Sequence, residues 1–197
     1  MTQHYDSKIF YKIFFLFSGN FNSDTINDRS VAFENFLSYI YGRDVLRCSE
    51  PFRAFLYRRD LQESSHYLLH SQFEEASPIL ENLYWLLDKL HGDREMLLRV
   101  LCQLIVCLHA INNYELSYDY AQIAMPKFQS HLNDGFSKEF YIPFLHFCIR
   151  LWWLLGKDKR MFESKLEEAR KLGKKVDGLS GLLDLLRDEI SLPTLHS

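Results

Sequence analysis

Apolar side chains recur every three or four positions in residues 23–41, which is typical of one face of a helix. That face contains Ile26, Ser30, Phe33, Leu37 and Ile40. Ser23 or Asp24 can cap the helix at its start. Gly42 stands where a left-handed residue commonly ends a helix. The pattern therefore predicts a helix that runs from about residue 23 to Tyr41.

A second helical segment follows after a short turn around Val45 and Leu46. Ser49-Glu50-Pro51 predicts a new helix start, because the missing N–H of proline costs nothing in the first turn of a helix. We expect this helix to bury Phe52, Phe55 and Leu56.

From about residue 60 to the end, the pattern predicts one helix after another. The predicted helices are 60–70, 72–91, 94–111, 113–131, 138–155, 158–172 and 180–190. The connections Gly92-Asp93, Asn112-Asn113 and Gly156-Lys157 are short. Short connections make neighbouring helices antiparallel, so we expect helical hairpins.

A weak repeat supports this interpretation. Phe73-Glu74-Glu75-Ala76 and Tyr114-Glu115-Leu116-Ser117 begin equivalent helices, and a third unit includes Glu167-Glu168-Ala169. The spacing from Phe73 to Tyr114 exceeds the roughly 34 residues of a strict tetratricopeptide repeat. We expect elongated, irregular hairpins that stack because none can bury its apolar face alone.

The predicted helix 94–111 should lie at the centre of the stack. Between Met96 and Ile111 its polar residues are Arg99, Gln103 and His109, so neighbouring helices must cover almost its whole circumference. Three prolines fall inside predicted helices, where we expect kinks or late starts: Pro78, Pro126 and Pro143.

Composition adds limits to this all-α interpretation. The 197 residues carry a formal net charge of −3, which argues against a nucleic-acid partner bound through bulk charge. With 8 Gly and 5 Pro, a turn-rich all-β fold is disfavoured. The charge-free stretch from Val100 to Tyr114 is too short to span a bilayer. The four cysteines form no C-x-x-C pair, which favours reduced thiols in the cytoplasm.

No pattern in the sequence indicates catalysis. His66 and His70 have zinc-ligand spacing, but no glutamate stands between them and no third ligand lies nearby in the sequence. Cys102 and Cys107 point away from each other on a helix. Phosphate-binding loops and nucleophile elbows are also missing from the sequence. We therefore expect a protein that is not an enzyme and binds no metal or cofactor.

One stretch, residues 43–59, is locally basic. Its arginines are Arg43, Arg47, Arg53, Arg58 and Arg59. Such a patch suits an anionic lipid surface or a phosphorylated partner. A solvated helix face is the simpler interpretation and the one that we favour.

The sequence also resembles a known family. Gly19-Asn20-Phe21, Arg29-Ser30, Phe33-Glu34 and Phe55-Leu56 resemble the helical second half of a phox-homology (PX) domain. Pro143-Phe144-Leu145, Arg150-Leu151-Trp152 and Asp158-Lys159-Arg160 resemble the last repeat of the PX-associated domain B. In this order the two blocks are similar to the small sorting nexins that carry a C-terminal tetratricopeptide-like domain.

The resemblance implies endosomal trafficking adaptors, with a PX domain that binds phosphoinositide and a helical domain that binds proteins. It implies that Arg29 is a phosphoinositide-binding residue, since it matches the PX arginine that reaches the inositol ring. Residues 1–17 are too few for the PX sheet and lack its Arg-aromatic pair. We therefore expect an N-terminally truncated PX part, and the missing features argue against lipid binding by this chain.

These inferences define one overall prediction. We expect an all-α protein in which a partial PX domain, residues 1–59, precedes a right-handed tetratricopeptide-like stack, residues 60–197. Residues 8–17 are the one plausible strand, and a lone strand is unstable. The predicted function is that of a non-enzymatic endosomal sorting adaptor in the cytoplasm, peripheral on the early endosome membrane, with protein partners. The alternative is a soluble helical scaffold or self-association module without a membrane role.

Overall fold

The computed structural model describes residues 23–90, 93–130 and 135–191, and it is 83% helical, with no strand in these ranges. This confirms the all-α prediction. The chain forms two compact units, residues 1–52 and 53–197. Among the described residues, none of the helices combines the length and the hydropathy of a membrane-spanning segment. The strand predicted at residues 8–17 and the PX-like Gly19-Asn20-Phe21 lie outside the described residues.

The first unit contains helices α1 (Ser23–Tyr41) and α2 (Asp44–Arg47). None of the side chains of α1 is buried, and Phe33 is 43% exposed. The left-handed conformation predicted for Gly42 is wrong: its φ is not positive. The amide N of Gly42 continues the helical bonding by donating to Ser38 O at 3.0 Å.

Helix α3 (Glu50–Leu69) is one continuous helix, where the sequence predicted two. Pro51 lies in its first turn, as predicted. The side chains that α3 turns to the core follow one stripe, made of Ala54, Tyr57, Leu61, Ser64 and Leu68. Phe55 lies one position off this stripe and is 63% exposed. The prediction that Phe55 is buried is therefore wrong, and Ala54 is buried instead.

The second unit continues with six helices in its described ranges. They are α4 (Phe73–Lys89), α5 (Arg94–Ala110), α6 (Tyr114–Gln129), α7 (Gly135–Leu154), α8 (Arg160–Lys171) and α9 (Leu182–Ser191). Each begins and ends close to its predicted bounds. Pro78, Pro126 and Pro143 lie inside α4, α6 and α7. None of these three helices starts at its proline, so the late starts considered for these positions do not occur.

Helix α5 lies at the centre of the stack, as its sequence predicts. Its buried side chains are Leu97, Leu98 and every residue from Val100 to Leu108. Helices α4, α6, α7 and α9 all pack against it. These neighbours remove from water the apolar surface that surrounds almost the whole helix.

The repeat that relates α4 to α6 is visible in their buried side chains. Five of the six buried positions of α4 recur in α6 at the spacing that separates Phe73 from Tyr114. The pairs are Ala76 and Ser117, Leu80 and Ala121, Leu83 and Ala124, Tyr84 and Met125, and Leu87 and Phe128. The two helices therefore present the same register of positions to the core.

The first helix of each successive helix pair ends in the same way. The residues Ser71, Asn112 and Gly156 follow α3, α5 and α7 with φ of 59°, 61° and 66°. In each case the next amide donates back to the helix, as Gln72 N does to Tyr67 O at 2.9 Å. This is the Schellman arrangement, which satisfies carbonyls left open at a helix end and reverses the chain.

Candidate functional site

The helix α9 fills a surface formed by the first helices of the repeats. It packs against α5 and α7, and it buries Leu182 and Leu186 to 1% and 0% exposure. We call the surface beneath it, made of the covered faces of α5 and α7 and the C-terminal end of α3, the α9 seat. A groove lined by successive helices is the usual binding surface of helical repeats.

Arg187 connects α9 to the end of α3. Its Nη2 donates to the Ser71 hydroxyl at 2.7 Å and to the Leu68 carbonyl at 3.3 Å. Its guanidinium also lies 5.7 Å from the centre of the Phe73 ring. The Leu68 carbonyl already accepts from the backbone amide of Ser71 at 3.2 Å. A carbonyl oxygen has two lone pairs, so Arg187 binds it as a second donor from outside the helix.

An ion pair joins α5 and α9 in a partly buried position. Arg99 Nη2 lies 2.9 Å from Glu189 Oε1 and 3.2 Å from Glu95 Oε1, and about three quarters of each side chain in the Arg99–Glu189 pair is shielded from solvent. Burial raises the pKa of Glu189, and the charge of Arg99 works against this increase. Glu139 and Glu95 raise the pKa of Glu189 further by repulsion.

Three buried polar atoms in this region have no hydrogen-bond partner among the described residues. They are Nε of Arg99, Oε2 of Glu189 and Oε1 of Gln103. Gln103 follows Arg99 by one helical turn on α5 and is 1% exposed. The side chains of Arg99 and Gln103 therefore lie on the same side of α5, and each keeps a polar atom shielded from solvent.

The connection from α8 to α9 is anchored at its start. Val176 is 3% exposed, and its carbonyl accepts a hydrogen bond from Nε2 of His146 at 2.9 Å. Residues 177–180 are exposed. Asp177 forms an exposed ion pair with Arg170 on α8, at 3.1 Å. The segment between Val176 and α9 is therefore held by an exposed ion pair and not by buried side chains.

Arg29, the residue singled out by the PX resemblance, lies on α1 in the first unit. It is partly buried, and its Nε is shielded from solvent without a hydrogen-bond partner among the described residues.

The first two arginines of the basic stretch 43–59 make contacts with side chains close by in the sequence. The Arg43 guanidinium stacks 3.4 Å from the centre of the Tyr39 ring, and Arg47 pairs with Asp44.

Elsewhere in the described ranges, the titratable side chains and the thiols do not come together in a catalytic or metal-binding site. His66 and His70 have ring centres 4.2 Å apart, and no cluster of three His, Cys, Asp or Glu residues that could hold a metal occurs in this part of the chain. Burial raises the pKa of the Cys107 thiol to about 12 and also raises those of Cys102 and Cys148. Thiols of such high pKa are poor nucleophiles at neutral pH.

The two adjacent tryptophans on α7 have different environments. Trp152 is 6% exposed and packs between Tyr118 and Phe162, with ring centres 4.4 and 4.6 Å away. Trp153 is 69% exposed. One of the pair therefore belongs to the core, and the other lies at the surface.

The sequence reasoning did not identify the α9 seat. It noted Arg99 and Gln103 as rare polar residues on the apolar helix α5, and this was the available signal, because polar residues on such a helix mark where a polar partner approaches. The spacing of Leu182, Leu186 and Glu189 on α9 was the complementary signal. No contact between the two helices follows from either pattern alone.

Comparison with known proteins finds sorting nexins. The chain is 31% identical to sorting nexin-20 of Bos taurus over 153 residues, 77% of this chain and 47% of the relative. It is 29% identical to sorting nexin-21 of Mus musculus over 175 residues, 87% of this chain and 47% of the relative. The chain is thus homologous to sorting nexins over most of its length and spans about half the length of these relatives. No family model and no solved structure matches it.

Proposed function

We propose that this chain is a non-enzymatic adaptor of endosomal protein sorting that binds other proteins through its helical repeats. The observation that carries the proposal is the similarity to sorting nexin-20 and sorting nexin-21 over more than three quarters of the chain. The names of these relatives indicate a role in protein sorting. The stacked helices, with the repeat that relates α4 to α6, support protein binding, because successive helices form an extended surface.

The proposal includes a two-part organisation. Residues 1–59 derive from the helical half of a PX domain, and residues 60–197 form the tetratricopeptide-like domain. The division of the chain into compact units after Phe52 supports two parts. Helix α3 runs across residues 59 and 60 without a break, so the chain passes from one part to the other within a helix.

We further propose that Arg29 contributes to phosphoinositide binding once a complete PX domain surrounds it, on the early endosome membrane. A guanidinium can hold phosphate and hydroxyl oxygens with parallel hydrogen bonds. The Nε of Arg29 is shielded and has no partner among the described residues. This is compatible with a side chain that binds an anionic ligand. The resemblance of Arg29-Ser30 to the PX motif supports this role.

Co-sedimentation with vesicles tests the membrane part of the proposal. The vesicles contain phosphatidylcholine with or without phosphatidylinositol 3-phosphate, and the proteins are this chain and a version that carries a complete PX sheet. We expect the PX-complete version to sediment with the phosphoinositide, and Arg29→Ala to abolish much of this binding. In this chain without the added sheet, Arg29→Ala should change neither lipid binding nor stability measurably.

Arg59→Ala serves as the matched control, because Arg59 is an exposed arginine of the basic stretch. It should leave the binding of the PX-complete version nearly unchanged. If the PX-complete version ignores the phosphoinositide, the chain is a scaffold without a membrane role. If Arg29→Ala weakens lipid binding by this chain without the added sheet, the proposal that Arg29 needs a complete PX domain to bind lipid is wrong.

A further inference from the structure

We propose that the end of α8 and the turn after it contact the surface of an anionic lipid bilayer through one leucine and three lysines. We call this segment, Lys171-Leu172-Gly173-Lys174-Lys175, the basic tip. The inference deepens the membrane part of the proposed function by adding a contact that uses neither Arg29 nor phosphoinositide. A contact of this size does not hold a protein on a membrane by itself, so it strengthens an attachment that another contact begins.

The leucine of the basic tip projects into solvent. Leu172 is 78% exposed, and among the exposed large apolar side chains of the described residues only Val45 has a higher value. The buried residues of α8 are Phe162, Leu166 and Ala169, and Leu172 belongs neither to the core nor to the side chains packed against it. A single exposed leucine is common on protein surfaces, so its significance depends on the backbone and the charges around it.

The backbone of the basic tip is fixed on both sides of the projecting leucine. Gly173 has a left-handed φ of +76°, and the amide of Lys174 donates to the carbonyl of Ala169 at 3.0 Å. This is the Schellman arrangement at the end of α8. Beyond the tip, Val176 is 3% exposed and anchors the chain in the core. The fold therefore holds Leu172 away from the core.

The three lysines of the basic tip are exposed and form no ion pair with the described residues. Two acids close to them in the sequence, Glu167 and Asp177, pair instead with Arg170, at 2.7 and 3.1 Å. Burial raises the pKa of the Tyr141 hydroxyl on α7, and the charge of Glu168 raises it further, so this third acid lies on the side of α8 towards α7. The tip therefore presents three positive charges to solvent.

The basic turn at the other end of α8 has the opposite character. Its cations Lys157, Lys159 and Arg160 each lie within ion-pair distance of a carboxylate, at 3.1, 2.9 and 2.6 Å. A cluster of basic residues in this domain is thus not unpaired by default. The basic tip differs because its lysines lack such partners among the described residues.

These features favour a bilayer over an acidic protein segment. Basic residues near an anionic leaflet are attracted to it, and apolar side chains enter the boundary between headgroups and acyl chains. All five residues of the basic tip are exposed, so the tip forms a projection and not a groove that encloses a partner's side chains. An acidic segment would neutralise the lysines but leave much of Leu172 in water, whereas a bilayer accommodates both.

Co-sedimentation of the full chain with vesicles tests the proposal. The vesicles contain phosphatidylcholine alone or with phosphatidylserine, and they hold no phosphoinositide. We expect several-fold tighter binding to the phosphatidylserine vesicles, which weakens as the salt concentration rises because salt screens exposed charges. Combining Lys174→Glu with Lys175→Glu should lower the affinity about tenfold or more, since each basic residue near an anionic surface contributes roughly fivefold. The control, Lys89→Glu with Lys138→Glu, changes the net charge equally at exposed positions of other helices and should have a much smaller effect.

Substitutions of Leu172 test whether an apolar side chain enters the bilayer. Leu172→Ser keeps every charge and should weaken binding to the phosphatidylserine vesicles several-fold. Leu172→Trp should preserve or strengthen this binding, because tryptophan favours the membrane interface. Met161→Ser makes a similar change at the other end of α8, where the side chain is 51% exposed, and should bind as the unaltered chain does.

Equal binding of the unaltered chain to both kinds of vesicle would overturn the proposal. So would a loss with the lysine variant that Leu172→Ser does not share, because the tip would then be an electrostatic patch alone. If a poly-glutamate peptide binds the tip and the phosphatidylserine vesicles do not, the tip belongs to an acidic partner and the proposal is also wrong.

The altered positions of the basic tip are exposed, so the variants should keep the core, and circular dichroism checks this. If a weakened variant folds poorly, Leu172→Trp still tests the proposal, since clearly weaker binding by a folded Leu172→Trp would overturn it. The vesicles contain no phosphoinositide, and every variant keeps Arg29. Failure of this experiment and failure of the phosphoinositide experiment are therefore distinguishable.

Discussion

Single backbone positions determine where the helices of this molecule reverse. Gly156 ends α7 with a φ of +66°, and a Cβ built on it meets no atom within 4 Å. Gly156→Ala should therefore act through the backbone alone, since the left-handed conformation disfavours a Cβ. We expect a loss of about 1 kcal/mol in the free energy of unfolding, measured by urea denaturation.

Gly156→Asn is the matched control for this prediction. Asparagine tolerates the left-handed conformation better than alanine does, and Asn112 already adopts it at the equivalent position with a φ of 61°. The asparagine variant should lose less stability than the alanine variant. An alanine variant as stable as the unaltered chain would contradict the Schellman geometry at this turn.

The carboxyl of Glu189 links stability to pH. Burial raises its pKa in the folded state above the ordinary value of 4.5, with Arg99 opposing this and Glu139 and Glu95 adding to it. The folded state thus holds its proton more strongly than the unfolded state does. The favourable contribution of the protonated carboxyl is complete below about pH 4.5 and is lost as the pH rises through the folded pKa.

The prediction is measured as a difference between two proteins. Glu189→Gln cannot ionise at this position, so its stability lacks this dependence on pH. The unfolding free energy of the unaltered chain minus that of Glu189→Gln should fall as the pH rises from about 4 towards neutrality. Urea unfolding at several pH values measures both. A difference that does not change with pH would show that Arg99 cancels the effect of burial on the pKa of Glu189, and a difference that grows with pH would show that Arg99 outweighs it.

Among the elements, the helices that were well predicted are those whose buried faces are continuous. The bounds of helix α5 were predicted closely because apolar residues surround almost its whole circumference, as expected for a helix that is buried on all sides. The repeat between α4 and α6 was visible because Phe73 and Tyr114 begin both helices at the same register. Local periodicity and turn residues are sufficient for such elements.

Helices α3 and α9 have features of packing that the local hydrophobic pattern does not predict. The apolar run Phe52, Phe55 and Leu56 predicted a buried face, but the continuous helix turns Ala54 to the core and leaves Phe55 exposed. A small residue such as Ala54 adds little to the hydrophobic periodicity of a sequence, although its size permits close packing.

For α9, the pattern predicted a helix over residues 180–190. Its packing against α5 and α7 depends instead on contacts between residues that lie far apart in the sequence, such as that of Arg99 with Glu189. Periodicity within one helix shows which face is apolar but not which other helix covers it. The α9 seat therefore became visible only in the structure.

At the scale of the molecule, the two units differ in how they bury side chains. The core is built from residues of the second unit, with one cluster that extends from Leu68 to Leu186. In the first unit, α1 has no buried side chain. Most of the stability of a helix in a protein comes from the packing of its apolar face. Helix α1 therefore contributes helix content without a described core of its own.

This difference predicts that unfolding is not a single transition. All three tryptophans, Trp85, Trp152 and Trp153, belong to the second unit, so their fluorescence reports on the stacked core alone. Far-UV circular dichroism also records α1. Because α1 lacks buried side chains, its helix should melt at lower urea concentration than the core. The dichroism curve should therefore begin to fall before the fluorescence changes, and the later, larger loss should coincide with the fluorescence transition. Coincident curves for the two signals would mean that α1 unfolds together with the core.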